Sequence, residues 1–391
     1  MRRNYIYGQS PLLWSPPQAV LGLGSRASSI AIPIYGELKP AVTAISQTAD
    51  ITPVTIYDSV VTVTPDMYGN AVQLSQKVQL ISIPDVLRVA AEEVAMNAAE
   101  SRDYLARSAA VAGTVVGFGG DATARASLST AATSDGISLA KYFDAVSFLE
   151  GTRAPKIPGP GAGFAAIMRK NTVLDTLMDS NIVLVAEYSP GQGPSLLNGE
   201  IGTHIAGVRI VESNNAKIFQ GAGASASDFM STTGYGTLAT AAAAGSTTLT
   251  LSASSKCDVG DYYTVGGQES TTAGEISHIE TIRITGSTGT TPTFIGGDPR
   301  GGLLFAHSSG ETLYPNFGAY ATLFMGADAL LGCYTNEDGL GPDGIIYPPE
   351  QTGMLRQFTN VAWKGFWGFG RVSEGRLYRL EHVCSRQVVG K

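Results

Sequence analysis

The stretch from Val54 to Val111 constrains the fold more than any other, because two runs of strand-like alternation pass directly into the longest helical pattern in the chain. Val54, Ile56, Val60, Val61 and Val63, then Val72, Leu74, Val78, Leu80 and Ile81 after a Tyr68-Gly69-Asn70 turn, are the β-branched and apolar residues of a pleated, half-buried surface. At Ser82-Ile83-Pro84-Asp85 the period changes. Ser82 with Asp85 three residues on resembles a capping box, and Pro84 fits the first helical turn, where its missing N–H costs nothing. Leu87, Ala90, Val94, Ala98, Leu105 and Ala109 then recur at helical spacing, with Arg88, Glu92, Glu93, Glu100, Arg102, Asp103 and Arg107 between them. At ~1.5 Å per residue, a helix over 84–111 is ~40 Å long, well beyond the usual globular length. Such a helix, fed by an extended hairpin, reads as a beam.

Before it, residues 1–27 are rich in Pro, Gly, Ser and Gln without a period and read as an extended arm; Ser28–Tyr35 alternates like a strand. The simplest geometry is a long two-stranded excursion, turning near Gln47 to Pro53 and returning from Val54. An isolated hairpin is marginal in water, so another surface should cover it.

After the beam, Gly113–Ser134 reads as loop and Gly136–Glu150 as a helix with Leu139, Tyr142, Phe143, Val146 and Leu149 on one face. A buried strand over Phe164–Met168, a helix over Thr172–Met178, a strand over Asn181–Glu187 and a strand pair within Gly199–Ile218 follow. Between 232 and 313 Thr, Ser, Gly and Ala dominate. Five short strands are expected there, at 246–252, 261–267, 280–286, 291–297 and 302–308, making a small inserted all-β domain. A strand leading to a small helix over 319–332, a loop at 336–353, and closing strands from Trp363 to Val383 complete the chain.

Composition narrows the function. Of 391 residues 15% are charged, with 47 Gly and 19 Pro, and the net charge of −7 lacks the basic excess of a dedicated nucleic-acid binder, although a protein that merely encloses nucleic acid need not have one. Cys257, Cys333 and Cys384 are isolated and odd in number, which indicates neither a disulfide framework nor a metal site and suits a reducing cytosol. Arg2 and Arg3 precede apolar residues, but Pro11, Pro16 and Pro17 break the run, so no secretion signal is read there. No stretch approaches the ~20 apolar residues that span a bilayer.

Chemical motifs are weak. His204, His278, His307 and His382 lie far apart without HxH or HExxH spacing and read as surface or satisfied core histidines. Neither a GxSxG elbow nor a phosphate loop is present. Gly22-Leu23-Gly24-Ser25-Arg26-Ala27 has the letters of a dinucleotide fingerprint but no helix pattern after it, and Gly159, Gly161 and Gly163 lie in a Pro-broken turn. Asn336-Glu337-Asp338-Gly339 lacks the closing glutamate of a calcium loop. Glu92 and Glu93 sit on the polar face of the long helix, where carboxylates are usually solvated or paired. No catalytic, cofactor-binding or metal residue is assigned, and the chain reads as a structural protein.

The order arm, hairpin, beam, mixed α/β body and closing strands resembles the major capsid proteins of tailed phages with the Hong Kong 97-like fold, and among them the phage N-four type. The matching segments are TVTPDMYGNAVQLSQKVQLISIPDVLRVAAEE, NGEIGTHIAGVRIVESNNA, GADAL at 326–330, and VAWKGFWGFGRVSEGRLYRLEHVCS. Met168-Arg169-Lys170 departs from the histidine-proline or similar pair expected after the GFAAI strand. The resemblance implies an α+β fold with an N-terminal arm at 1–27, an extended loop at 28–65 lying over a neighbouring subunit, and a peripheral domain at 66–112 and 358–391 with spine helix 84–111. It further implies an axial domain at 113–231 and 314–357; residues 232–313 are extra to that fold. It implies self-assembly into hexamers and pentamers of an icosahedral head formed in the host cytoplasm. The head would enclose double-stranded DNA without sequence-specific binding, involve scaffold, portal and decoration proteins, and need no enzyme activity, cofactor or membrane. Two alternatives stand beside it: a nanocompartment shell of the same fold, and a β-rich carbohydrate-active or carbohydrate-binding protein using Tyr262, Tyr263 and Phe294 of the insertion.

Overall fold

The structure is a computed structural model. It describes residues 13–14, 20–21, 29–36, 38, 40–42, 44–45, 53–82, 85–128, 135–158, 163–179, 205–219, 237–252, 259, 262–265, 280–311, 313–315, 319–335 and 341–384. The expected strand at 181–187, most of the arm, the hairpin tip at 46–52 and the residues 336–340 lie outside them. The chain forms two compact units, here the ribbon unit (Leu13–Arg102 and Leu330–Val372) and the body unit (chiefly Asp103–Ala329 and Ser373–Lys391).

In the ribbon unit, short strands β1 (Leu13–Trp14) and β2 (Val20–Leu21) precede β3 (Ile30–Tyr35), which pairs antiparallel with β4 (Asp58–Val63) from Ile30↔Val63 to Tyr35↔Asp58. Alternation sends Ile30, Ile32 and Val63 into a small core with Leu331, Cys333 and Val372, and leaves the other face of β3 in solvent. The expected hairpin is therefore present, anchored at its base; Val54 and Ile56, read as strand, lie before β4 begins.

Strand β5 (Asp66–Ser75) runs along one edge of β17 (Phe358–Arg371), in antiparallel register from Asp66↔Trp367 to Ser75↔Phe358. The opposite edge of β17 is taken by β16 (Ile345–Thr352) and then β15 (Leu330–Thr335), with β1 and β2 parallel to β15. The expected loop at 336–353 is thus partly strand. Pro348 and Pro349 cannot donate to the ladder, and the register shifts at that point, between Tyr347 and Glu350.

The expected strand through Ile81 ends at Ser75. Its hydroxyl accepts from the Val78 N–H and starts helix α1 (Gln76–Ile81), so Val78, Leu80 and Ile81 are helical. Asp85, not Ser82, caps helix α2 (Val86–Val111), its carboxylate accepting from the Arg88 N–H at 3.2 Å. In the ribbon unit Ala90, Val94 and Ala98 of α2 are buried at four-residue spacing. Asn97 Oδ1 accepts from Trp363 Nε1 (2.8 Å) and Asn70 Nδ2 (3.3 Å), joining α2 to β17 and β5. Trp363 stacks on Trp367, with ring centroids 5.5 Å apart.

The body unit is built on a mixed sheet ordered β6 (Val116–Phe118), β18 (Leu377–His382), β14 (Ala319–Met325), β7 (Phe164–Met168), β8 (Val208–Glu212), with β9 (Ile218–Phe219) also on β14. Every residue of β7 and β14 is buried, as expected of central strands covered on both faces. Helix α3 (Leu139–Gly151) buries Tyr142, Ala145 and Leu149 against Phe164, Met168 and Phe324, while Phe143, expected on that face, is exposed. Helix α4 is Lys170–Leu177. The small helix expected after β14 is instead a turn, with Asp328 in the left-handed region (φ 51°), leading into β15.

Strands β15 and β16, within the expected axial part, hydrogen-bond to β17, whereas β18, within the expected peripheral part, joins β14 in the body sheet. The pairing partner, invisible in local pattern, decides such placements.

The insertion is a sheet ordered β12 (Thr291–Ile295), β11 (Glu280–Thr288), β10 (Tyr262–Val265), β13 (Leu313–Pro315), around its own core of Leu238, Leu249, Leu251, Val265, Ile282 and Leu303 among others. Three of the five expected strands are found. Residues 246–252 and 302–308 make only isolated bridges: Leu249, Leu251 and Leu303 enter the core, but Gly302 lies so close to Gly245 that a Cβ there would sit 2.3 Å from its carbonyl oxygen.

Candidate assembly surfaces

The ribbon unit leaves large apolar side chains uncovered in two places. Along the hairpin beyond its anchored base, Tyr35, Leu38, Val42, Ile45, Val54, Ile56 and Tyr57 are all more than half exposed. The Gly36 N–H donates to Tyr57 O at 2.8 Å, so the two limbs close above the base. Tyr35 ends β3 on its outward side, and the other six lie on the limbs beyond the paired strands, outside the anchoring core.

The second place joins α1 to the turn between β16 and β17. The Gln76 N–H donates to Gln357 O at 2.7 Å, which holds the helix start beside that turn. Gly353 (φ 90°) and Arg356 (φ 50°) bend the chain tightly and push Met354 and Leu355 outward. With Leu80 at 79%, Ile81 at 70% and Leu355 at 76% exposure, and Met354 fully exposed, this end of the sheet presents an apolar face of a kind that marks interaction sites. The sequence alone does not mark this face, because the turn reads as loop and α1 as strand; Met-Leu after a glycine between two strands is the available signal.

Of the described residues with candidate chemistry, His382 and Cys384 meet, the thiol sulfur lying 4.0 Å from the ring Nδ1. His204, His278 and Cys257 fall outside the described residues, as do 159–162 of the glycine turn and 336–339 of the calcium-like segment. His382 is buried and accepts or donates a hydrogen bond with Thr322 Oγ1 at 2.9 Å; burial holds its pKa down at about 4. Burial likewise pushes the Cys333 thiol up to about 11 and the Cys384 thiol well above its ordinary value, the reverse of what a nucleophile requires. Glu92 and Glu93 are exposed, and Glu92 pairs with Arg88. Among the described residues no cluster of His, Cys, Asp and Glu has the arrangement of a metal site. No described helix is long and apolar enough to cross a membrane. Tyr263 and Phe294, the aromatics that suggested a carbohydrate surface, are buried in the insertion core.

Glu381, 1% exposed at its side chain, organises the body unit around the C-terminal end of α2. It takes Arg125 in bidentate fashion (2.6 and 2.7 Å) and Arg379 Nε at 3.0 Å. Arg379 in turn donates to Val111 O and Gly113 O, satisfying carbonyls at the helix end. The Arg125 guanidinium lies 3.7 Å over the Phe219 ring.

No protein-family model matches the sequence, and no curated protein matches it either. Solved structures do. The chain is similar to the capsid of Ralstonia phage GP4 (TM-score 0.57, 11% identity, 99% of this chain and 93% of that chain). It is similar to the capsid of the cyanophage P-SCSP1u (TM-score 0.54, 12% identity, 97% and 89%) and to that of cyanophage Pam1 (TM-score 0.50, 12% identity, 99% and 94%). Matched nearly end to end by these structures at such low identity, the chain has the fold of phage capsid proteins.

Proposed function

We propose that this chain is the major capsid protein of a tailed phage, with the Hong Kong 97-like arrangement, assembling into the hexamers and pentamers of an icosahedral head around double-stranded DNA. The observation that carries the reading is the fold shared with phage capsids over 97–99% of the chain. The uncovered apolar residues of the ribbon unit support it physically, since a monomer in water gains nothing from exposing them and a shell buries them between copies.

In this reading the β3–β4 hairpin is the extended loop that lies over a neighbouring copy. The peripheral domain is the ribbon-unit sheet with α2, including β15 and β16 because both strands pair with β17. The axial domain is the mixed sheet of the body unit, and the insertion is an addition to it. Scaffold, portal and decoration proteins are the partners of such a shell, and its role is structural. Electron microscopy of particles from cells producing the protein tests the proposal: closed icosahedral shells built of this chain support it. Shells filled with a protein cargo and no genome would move it to a nanocompartment, and a stable soluble monomer from the same cells would overturn it.

A further inference from the structure

The insertion contains a buried charge cluster that its apolar core does not require. His307 Nε2 lies 2.9 Å from Glu280 Oε1, and its Nδ1 lies 2.7 Å from Glu311 Oε2. The side chains of His307 and Glu280 are wholly buried, and that of Glu311 is 19% exposed. A neutral imidazole has one N–H and one lone pair, so it can donate to only one of two carboxylates. Both contacts are hydrogen bonds only if the trio holds one proton more than a neutral ring and two carboxylates carry.

The carboxylates are themselves fixed. Glu280, at the start of β11, accepts from the N–H groups of Leu304 (2.8 Å) and Phe305 (3.2 Å), and Glu311 accepts from Ser308 N–H (2.8 Å). The His307 backbone exchanges hydrogen bonds with Ala242. The cluster thus joins the β11 strand to the 303–311 segment and the strip around Ala242, which pair in the isolated Ala242–His307 bridge. Among the described residues Glu280 and Glu311 are the charged groups acting on His307: burial lowers its pKa, but the two carboxylates outweigh burial and raise it above 6.5.

We infer that Glu280, His307 and Glu311 form a proton-held clasp that keeps 303–311 closed on the inserted sheet and releases it in alkaline solution. For a histidine with a raised folded pKa, the stabilisation is complete below the unfolded value of 6.5 and is lost as pH rises through the folded value. The inference concerns the insertion alone and stands or falls separately from the capsid reading.

Hydrogen–deuterium exchange of the full chain, corrected for intrinsic pH dependence, tests it. Between pH 5 and pH 9.5, exchange in 303–311 should rise in a step centred above pH 6.5, against a constant reference in β14. His307→Gln should exchange fast at pH 7 and lose the step. Equal protection at both pH values in the unsubstituted chain, or an unchanged step in His307→Gln, overturns the clasp. If His307→Gln does not fold, Glu311→Gln decides: the step should move to lower pH, and a step that stays in place overturns the inference.

Discussion

Leu80 and Leu355 offer a way to weaken assembly without touching the fold. Their side chains are 79% and 76% exposed in the single chain, so replacing both with serine removes little buried surface from the subunit, and its stability should change by no more than about 0.5 kcal/mol per site. In a shell the same side chains lose their water. Full burial of a leucine is worth roughly 1.5–3 kcal/mol; taking half of the middle of that range gives about 1 kcal/mol each, or about 2 kcal/mol per subunit. At 1.4 kcal/mol per factor of ten, the concentration at which shells form should rise about thirtyfold. Sedimentation of the double variant across a concentration series, with a melting curve of the unassembled fraction, measures both quantities. An unchanged assembly threshold would refute the assignment of this face to subunit contacts. A large fall in melting temperature would show instead that these leucines support the subunit's own fold.

Further expectations follow from single contacts. A Cβ on Gly365 would lie 2.4 Å from the Trp367 ring, so Gly365→Ala should destabilise the ribbon unit by about 1–3 kcal/mol through overpacking, read as a lower denaturation midpoint. Glu381→Gln leaves Arg125 and Arg379 without their shared carboxylate and should cost about 3 kcal/mol; because Arg125 is about one-third exposed, a smaller loss is expected when salt is raised, and no loss would mean the pairs are incidental. His382 has its folded pKa lowered from 6.5 to about 4, so its contribution is present above 6.5 and is lost as pH falls toward 4, about 3 kcal/mol in total. Replacing it with Asn should flatten that part of the stability–pH curve, and an unaltered curve would contradict the buried neutral ring. Deleting 38–55 and joining the limbs above the Gly36–Tyr57 hydrogen bond should leave a folded subunit that forms no shells; normal particles would contradict the role of the hairpin.

Much of the fold could be read from periodicity where one face of an element meets a core. The spacing of Ala90, Val94, Ala98 and Leu105 marked α2, and the alternation of Ile30, Ile32 and Val63 marked the ribbon. What escaped depended on contacts distant in sequence. Val78, Leu80 and Ile81 fit a strand as well as a helix until Ser75 caps the first turn of α1. Two prolines made β16 look like loop, though β17 supplies its partner and the bulge absorbs them. In the insertion, 246–252 alternates like a strand and buries Leu249 and Leu251, but it makes only isolated bridges and no ladder. The apolar face at Leu355 needed the turn geometry at Gly353 and Arg356, and the histidine clasp joins Glu280 to His307 across 27 residues. Only the pair His307 and Glu311, four residues apart, was visible as a hint.

The most direct test of the central claim is a cryo-electron microscopy reconstruction of particles purified from producing cells. A closed icosahedral shell whose repeating density follows this chain, with the β3–β4 hairpin lying over an adjacent copy and Leu80 and Leu355 at subunit contacts, is the predicted result. Particles absent altogether, with the 40.7 kDa chain recovered as a soluble monomer, would contradict it.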